Sequence, residues 1–326
     1  MKKIKILSVL TVGAVLLSTT SCMKMLFPGI PIAPSRMKVI TSVRTAQQAN
    51  SIAIKDNLLF VAERTAGFAI YDISNPSKPR LLSTTKAGGL SIDELMVYGN
   101  VLYAGTGAEP YKFLTYNITD PYHPSKLASL SLMGPALSID AWGADCYISE
   151  RGIFAVELID ISDPSKPRIV TEVEGGSNDL SVYQNYIFTV GDSFCIWQKT
   201  GREKINLVSC IDLGGVSGNG IKIGYDCAYI ATTGGLIVID ITDFKHPREV
   251  FKMKFNNPAY GIDIKDTYLY VASYQEGLKV FSLKNPKNPK FMGMIKVPGL
   301  AFDVKAKDSF VFVASDSGVT VVQVGK

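Results

Sequence analysis

Histidine is almost missing from this 326-residue chain: His123 and His246 are the only two. Both stand in the same turn context, Tyr122-His123-Pro124 and Lys245-His246-Pro247, three repeat units apart. Separated in that way they cannot share one turn site, so a histidine-based zinc centre or a Ser-His-Asp triad has no support. Cysteine is also scarce, with five residues and no C-x-x-C spacing, which removes the common zinc and dithiol motifs. No stretch holds a 3.6-residue apolar period, so helices are not expected. The apolar run from Ile6 to Leu17 is too short to count as a transmembrane span.

What that run does resemble is an export signal. Lys2, Lys3 and Lys5 precede it and the small residues Ser18-Thr19-Thr20-Ser21 follow it, so residues 1–21 read as a secretory signal peptide. Without its three lysines, 31 basic residues stand against 29 acidic ones and the net charge falls from +5 to +2. Nothing in that balance argues for a nucleic-acid partner. Cys22, directly after the small residues, resembles the lipobox cysteine of bacterial lipoproteins, although Thr19 stands where that motif usually has Leu. The resemblance implies acylation at Cys22 and anchoring to a membrane, which places the protein in the bacterial cell envelope, at the outer membrane on its periplasmic or surface side. Residues 22–36, with three prolines and little pattern, read as an extended tether.

The rest of the chain repeats itself. Apart from Asp240, the segment Leu236 to Ile241 is aliphatic and suits a strand buried on both faces. Asp240, Thr242 and Asp243 then supply turn-forming side-chain oxygens, and Pro247 stops the strand. The same outline returns around Asp72, Asn117, Asp160, Ser282 and Gln323, with a degenerate copy at Gln198. The steps between copies are 45, 43, 38, 42, 42 and 41 residues. A second landmark lies about twenty residues upstream in each unit, as in Ile262-Asp263-Ile264 followed by Leu269-Tyr270-Val271-Ala272. Four short strands in roughly 40 residues is the period of a β-propeller blade.

The fold expected is therefore all-β: a seven-bladed propeller of four-stranded antiparallel blades over residues 37–326. The seventh unit ends before its fourth strand, whereas residues 37–43 precede the first inner strand and resemble a fourth strand. The N-terminal segment is expected to complete the last blade and close the ring, removing two open sheet edges. The landmark itself, in Gly235-Leu236-Ile237-Val238-Ile239-Asp240 and its relatives near Asp72 and Asp160, is similar to the LVIVD repeat of bacterial secreted and surface proteins. That resemblance implies a propeller and an exported location, and supplies no catalytic residues.

Cys195 and Cys210 flank one expected hairpin and could face each other across it; the favoured reading is buried free thiols, with a disulfide as the alternative in an exported protein. Sorting loops by face gives the candidate site. Asn50, Asp93, Glu94, Asn178, Asp179, Asn219 and Tyr260 fall at inner-strand starts. Glu63, Arg64, Glu150, Arg151 and Tyr274 fall on hairpins of the same, upper face. This face reads as acidic and amide-rich. The lower face carries turn lysines and arginines such as Lys78, Lys166 and Lys287 and is expected to lie toward anionic head groups. The function expected is a non-enzymatic scaffold that binds a protein or glycan through the upper loops, without cofactor or metal. The alternative is a propeller hydrolase or lyase with paired carboxylates or an axial divalent metal.

Overall fold

The computed structural model describes residues 37–151 and 154–325. The signal peptide, Cys22 and the tether at 22–36 lie outside these. The described residues form seven four-stranded sheets and no helix. Each sheet is antiparallel, and in six of the seven the four strands follow chain order from the inside of the ring to the outside. The inner strands are Ile52–Lys55, Ile92–Tyr98, Ala136–Trp142, Asp179–Tyr183, Gly218–Gly224, Ile262–Lys265 and Ala301–Lys307, and we number blades 1 to 7 from them.

The ring closes as expected. Met37–Val43 pairs antiparallel with Gly318–Val324, from Met37 opposite Val324 to Val43 opposite Val319, and so forms the outer strand of blade 7. Gly318 permits this pairing. Its φ is +114°, and a Cβ there would sit 2.1 Å from the Val43 carbonyl oxygen.

The second and third strands of each blade are buried on both faces because neighbouring blades sandwich them. The apolar core is divided into seven clusters, each shared by one pair of adjacent blades. Phe312 and Val321 of blade 7, for example, pack with Ile52, Leu59 and Tyr71 of blade 1. This is why the repeat is aliphatic throughout rather than alternating.

One hydrogen bond marks all seven units. The N–H of the residue after the landmark position bonds the carbonyl of the turn between the first and second strands. It runs from Ile73 to Asn57, Ile118 to Asn100, Ile161 to Ala144, Lys199 to Asn185, Ile241 to Asp226, Leu283 to Thr267 and Val324 to Ser309, at 2.7–3.0 Å. The degenerate fourth unit keeps this bond. It places the turns between the first and second strands, and those between the third and fourth, on one face, which we call lower.

The landmark Asp builds the turn that follows it. Asp72, Asp160 and Asp240 each accept the N–H two residues on, and each pairs with the arginine eight residues on: Arg80, Arg168 and Arg248, at 3.2, 2.6 and 3.0 Å. Asp240 also takes Lys287 from the next blade at 2.7 Å. The lower face is thus less basic than its lysines and arginines suggest. Both histidines are exposed turn residues, each with Nδ1 2.8 Å from its own Asp, Asp120 or Asp243.

Blade 4 departs from the pattern. Its third and fourth strands, Ser193–Gly201 and Lys204–Asp212, form a longer hairpin with no landmark Asp. Cys195 lies opposite Cys210 in this hairpin and the two are joined as a disulfide, so the expectation of free thiols fails for this pair. Register explains the difference: directly opposed residues bring their Cβ atoms within bonding reach. Cys146 and Cys227 are free and buried.

Candidate functional site

The seven inner strands enclose an axial cavity of about 830 Å³. Inner strands have no sheet neighbour on the axis side, so their outward N–H groups need acceptors. The sequence supplies them from the preceding blade. Asp303 accepts the Ile52 N–H at 2.9 Å, Asp140 that of Val182 at 2.8 Å, Asp179 that of Ile221 at 2.7 Å and Asp263 that of Ala306 at 2.8 Å. In Asp140, Asp179 and Asp303 the other oxygen accepts the N–H of the following residue, so one carboxylate spans two blades. Ser51 and Ser138 do the same for Leu95 and Leu180. These acids are clasps of the ring.

Burial in the cavity shapes their charge. It raises Asp179 to about 6 against the opposing hydrogen bonds from Ser138 and the Ile221 N–H, and it raises Asp140. Glu94 is pushed well above the usual carboxylate range, first by burial and then by the charge of Asp303. Burial and that neighbouring charge thus favour its neutral, protonated form. Burial works to neutralise Lys305, but Asp303 and Asp263 outweigh it, and its ammonium bridges both Asp303 oxygens at 3.0 and 3.1 Å.

The candidate residues from the sequence fall into three groups. Asn178, Asp179 and Asn219 tie blades together, with Asn178 bonding the Gly218 carbonyl at 2.9 Å and Asn219 the Ala259 carbonyl at 2.9 Å. Asp93 is held by Ser91 and lies against Gly107, where a Cβ would meet its carboxyl. Glu63 and Glu150 are buried, not surface acids. Glu150 sits with Glu157 in the interface between blades 2 and 3, and none of their four carboxyl oxygens has a hydrogen-bond partner among the described residues. Burial, then the Glu150 carboxyl beside it, pushes Glu157 up to about 9. The hairpin position alone suggested exposure for both. What it missed is that the second strand is packed on both faces to its end.

The remaining candidates gather at the upper mouth. Asn50, Glu94, Arg151 and Tyr260 line the cavity, and neither Arg151 nor the Asn50 amide nitrogen has a side-chain partner among the described residues. Tyr274 joins them through Phe302, which the sequence reading overlooked. The three rings form a triangle with centroids 5.8 Å apart for Tyr260–Tyr274 and 6.2 Å for each of them with Phe302. All three are half-buried. Tyr274 has φ +28°, uncommon for a bulky residue, and its carbonyl accepts the Ala301 N–H at 2.9 Å, which fixes the ring against blade 7. Arg64 is placed likewise: its φ is +51°, its backbone bonds Ile92 of blade 2, and its side chain is exposed. Phe302 was missed because it sits at the irregularity between Ala301 and Asp303, a β-bulge that breaks the strand alternation a sequence reading relies on.

Comparison with known proteins agrees with this geometry. The LVIVD repeat matches residues 46–86, 147–175, 217–254 and 258–297, which fall in blades 1, 3, 5 and 6. The chain is an LVIVD-repeat protein. Blades 2, 4 and 7 of the LVIVD-repeat propeller lie outside the matched stretches, yet all three carry the seven-fold turn bond. Among solved structures, the WD40 β-propeller domain of Doa1 is similar at TM-score 0.70 and 10% identity, over 88% of this chain and 96% of that one. The computationally designed Ika8 protein is similar at TM-score 0.65 and 10% identity, over 88% of this chain and 99% of that one. At that identity the likeness concerns fold alone. No curated protein matches the chain.

Proposed function

We propose that this LVIVD-repeat propeller is a non-enzymatic binding module of the bacterial cell envelope, carried on a lipid at Cys22, that recognises a protein or glycan at the upper mouth of its axial cavity. The observation that carries the reading is a division of labour inside the cavity. The deeper carboxylates are spent on backbone N–H groups of the adjoining blades. The aromatic triangle of Tyr260, Tyr274 and Phe302, with Asn50 and Arg151, is left facing the mouth. Rigid aromatic rings beside a few unpartnered polar groups are the usual make-up of a recognition surface, with low entropy cost on binding.

A hydrolase or lyase working through an axial metal needs carboxylates free to coordinate. Asp140, Asp179 and Asp303 each already accept two N–H bonds. Among the described residues no three His, Cys, Asp or Glu side chains are arranged to hold an ion.

The test is crosslinking and pull-down of the full chain from its native envelope, with crosslinks mapped by residue. Adducts concentrated near Arg64, Arg151 and Tyr274 support the reading; adducts confined to the outer strands overturn it. A thermal-shift titration with Ca²⁺ and EDTA runs beside it, and a saturable stabilisation by Ca²⁺ would favour the axial metal instead.

A further inference from the structure

The lower mouth of the cavity is built differently from the upper one. The residue that ends each inner strand sits at this mouth. In blades 2, 3 and 4 it is Tyr98, Trp142 and Tyr183, and in blade 5 the next residue, Tyr225, takes the place. In blades 6, 7 and 1 it is a lysine followed by an aspartate, and each of these lysines pairs with its neighbour. Four aromatics on four consecutive blades therefore form an arc around one side of the opening. They touch across blade boundaries. The Tyr98 hydroxyl accepts the Gly143 N–H at 3.2 Å, Trp142 meets Tyr183 edge-on at 5.8 Å, and the Tyr225 hydroxyl donates to the Asp266 carbonyl. Even so they remain 43, 48, 41 and 37% exposed. Interblade latching accounts for their contacts and leaves that exposure without a partner.

We infer that this aromatic arc rests on a phospholipid surface, with the rings at head-group depth. Two further observations choose the occupant. First, the chain enters the propeller on this face: Met37 pairs with Val324, whose N–H bonds Ser309 in a lower turn of blade 7. Chain entry, at blade 7 across the ring from the arc, is thus on the same face as the arc, where the sequence expects the membrane-directed segment, and the inference rests on that anchored reading. Second, the turns around the arc carry exposed lysines, Lys78, Lys126, Lys166, Lys245, Lys284 and Lys290, with no carboxylate in ion-pair reach among the described residues. Tyrosine and tryptophan prefer the membrane interface, where one end of the ring is apolar and the other wet, and lysines near anionic head groups add to the attraction. With the lower face on the lipid, the upper mouth points away from it.

The chain has only two tryptophans, and this makes a direct test. Trp142 is in the arc, whereas Trp197 is half-buried in blade 4 with its indole N–H on Thr189 at 2.9 Å. The full chain is reconstituted into vesicles of phosphatidylcholine and phosphatidylglycerol, with or without bromine on the acyl carbons nearest the head group. A Trp197→Phe variant should lose about half of its emission on brominated vesicles, as expected for a ring at the interface. Trp142→Phe should lose almost none. Should Trp197→Phe fold poorly, the difference between wild type and Trp142→Phe gives the same reading. Protein that sediments with vesicles while Trp142 stays unquenched overturns the docking and leaves the anchor standing. Protein that stays in the supernatant overturns both. Trp142 shielded from iodide by native envelope, but not quenched by bromolipid, assigns the arc to a protein partner and also overturns the docking.

Discussion

Acidic side chains do three separate jobs here, and neighbours decide which. Asp160 at a turn is held down to about 2, first by Ser162 and then by Arg168. Asp179 in the cavity is raised, and Glu157 in an apolar interface is raised further. A carboxyl that holds its proton more tightly folded than unfolded stabilises the fold most below its unfolded pKa, and that contribution fades as pH rises toward the folded value. The turn aspartates act oppositely and weaken the fold as pH falls below about 4. The melting temperature should therefore climb as pH drops from about 9 to about 5, then fall in acid. Glu157→Gln keeps the neutral form at every pH. It should flatten that slope and raise the melting temperature at pH 8 by a few degrees, as about 1 kcal/mol does in a chain this long. A steeper slope in the variant would refute the assignment. Asp179→Ala, which removes both acceptors of a clasp, should cost about 1–3 kcal/mol in urea unfolding, and Asp179→Asn, which keeps one, should cost less.

Among the elements, the regular blades show how far a sequence can be read. Asp72, Asp160 and Asp240 announce their turns because the same side chain must cap the turn and meet an arginine eight residues on. The strand order and the ring closure follow from those landmarks. Positions such as Glu63 and Glu150 were misjudged because the end of a second strand looks like a loop in sequence but lies between two sheets. The pairing of Cys195 with Cys210 turned on a register that spacing alone does not specify. In blade 4, which lacks the Asp–Arg pair of blades 1, 3 and 5, that bond ties the third strand to the fourth three residues before the landmark position. It closes a loop with a sequence separation of 15. Reduction, or a Cys195→Ala and Cys210→Ala double variant, should cost about 3 kcal/mol by loop-closure entropy. Equal urea midpoints with and without reductant would contradict that role.

At the scale of the molecule, everything rests on a ring that closes on itself. Apolar clusters lie between blades, so an open ring would leave one face of blade 1 and one of blade 7 in water. Gly318 is the narrowest point of the closure because the N-terminal strand passes directly over it. Gly318→Val should cost several kcal/mol through clash and backbone strain. It should also raise hydrogen exchange in residues 37–43 before other strands, and uniform exchange across all outer strands would argue against a local seam.

The propeller then presents two unlike mouths, one aromatic and amide-lined and the other carrying the tyrosine and tryptophan arc on the face where the chain enters. The most direct measurement of the recognition claim uses the immobilised full chain, wild type against a Tyr260→Ala and Tyr274→Ala double variant of matched melting temperature. Each is offered the polysaccharide and protein fractions of the native envelope. The account predicts saturable retention of a fraction by the wild type and at least a roughly tenfold weaker affinity in the variant, as for loss of buried aromatic anchors. Equal retention by both proteins would contradict it.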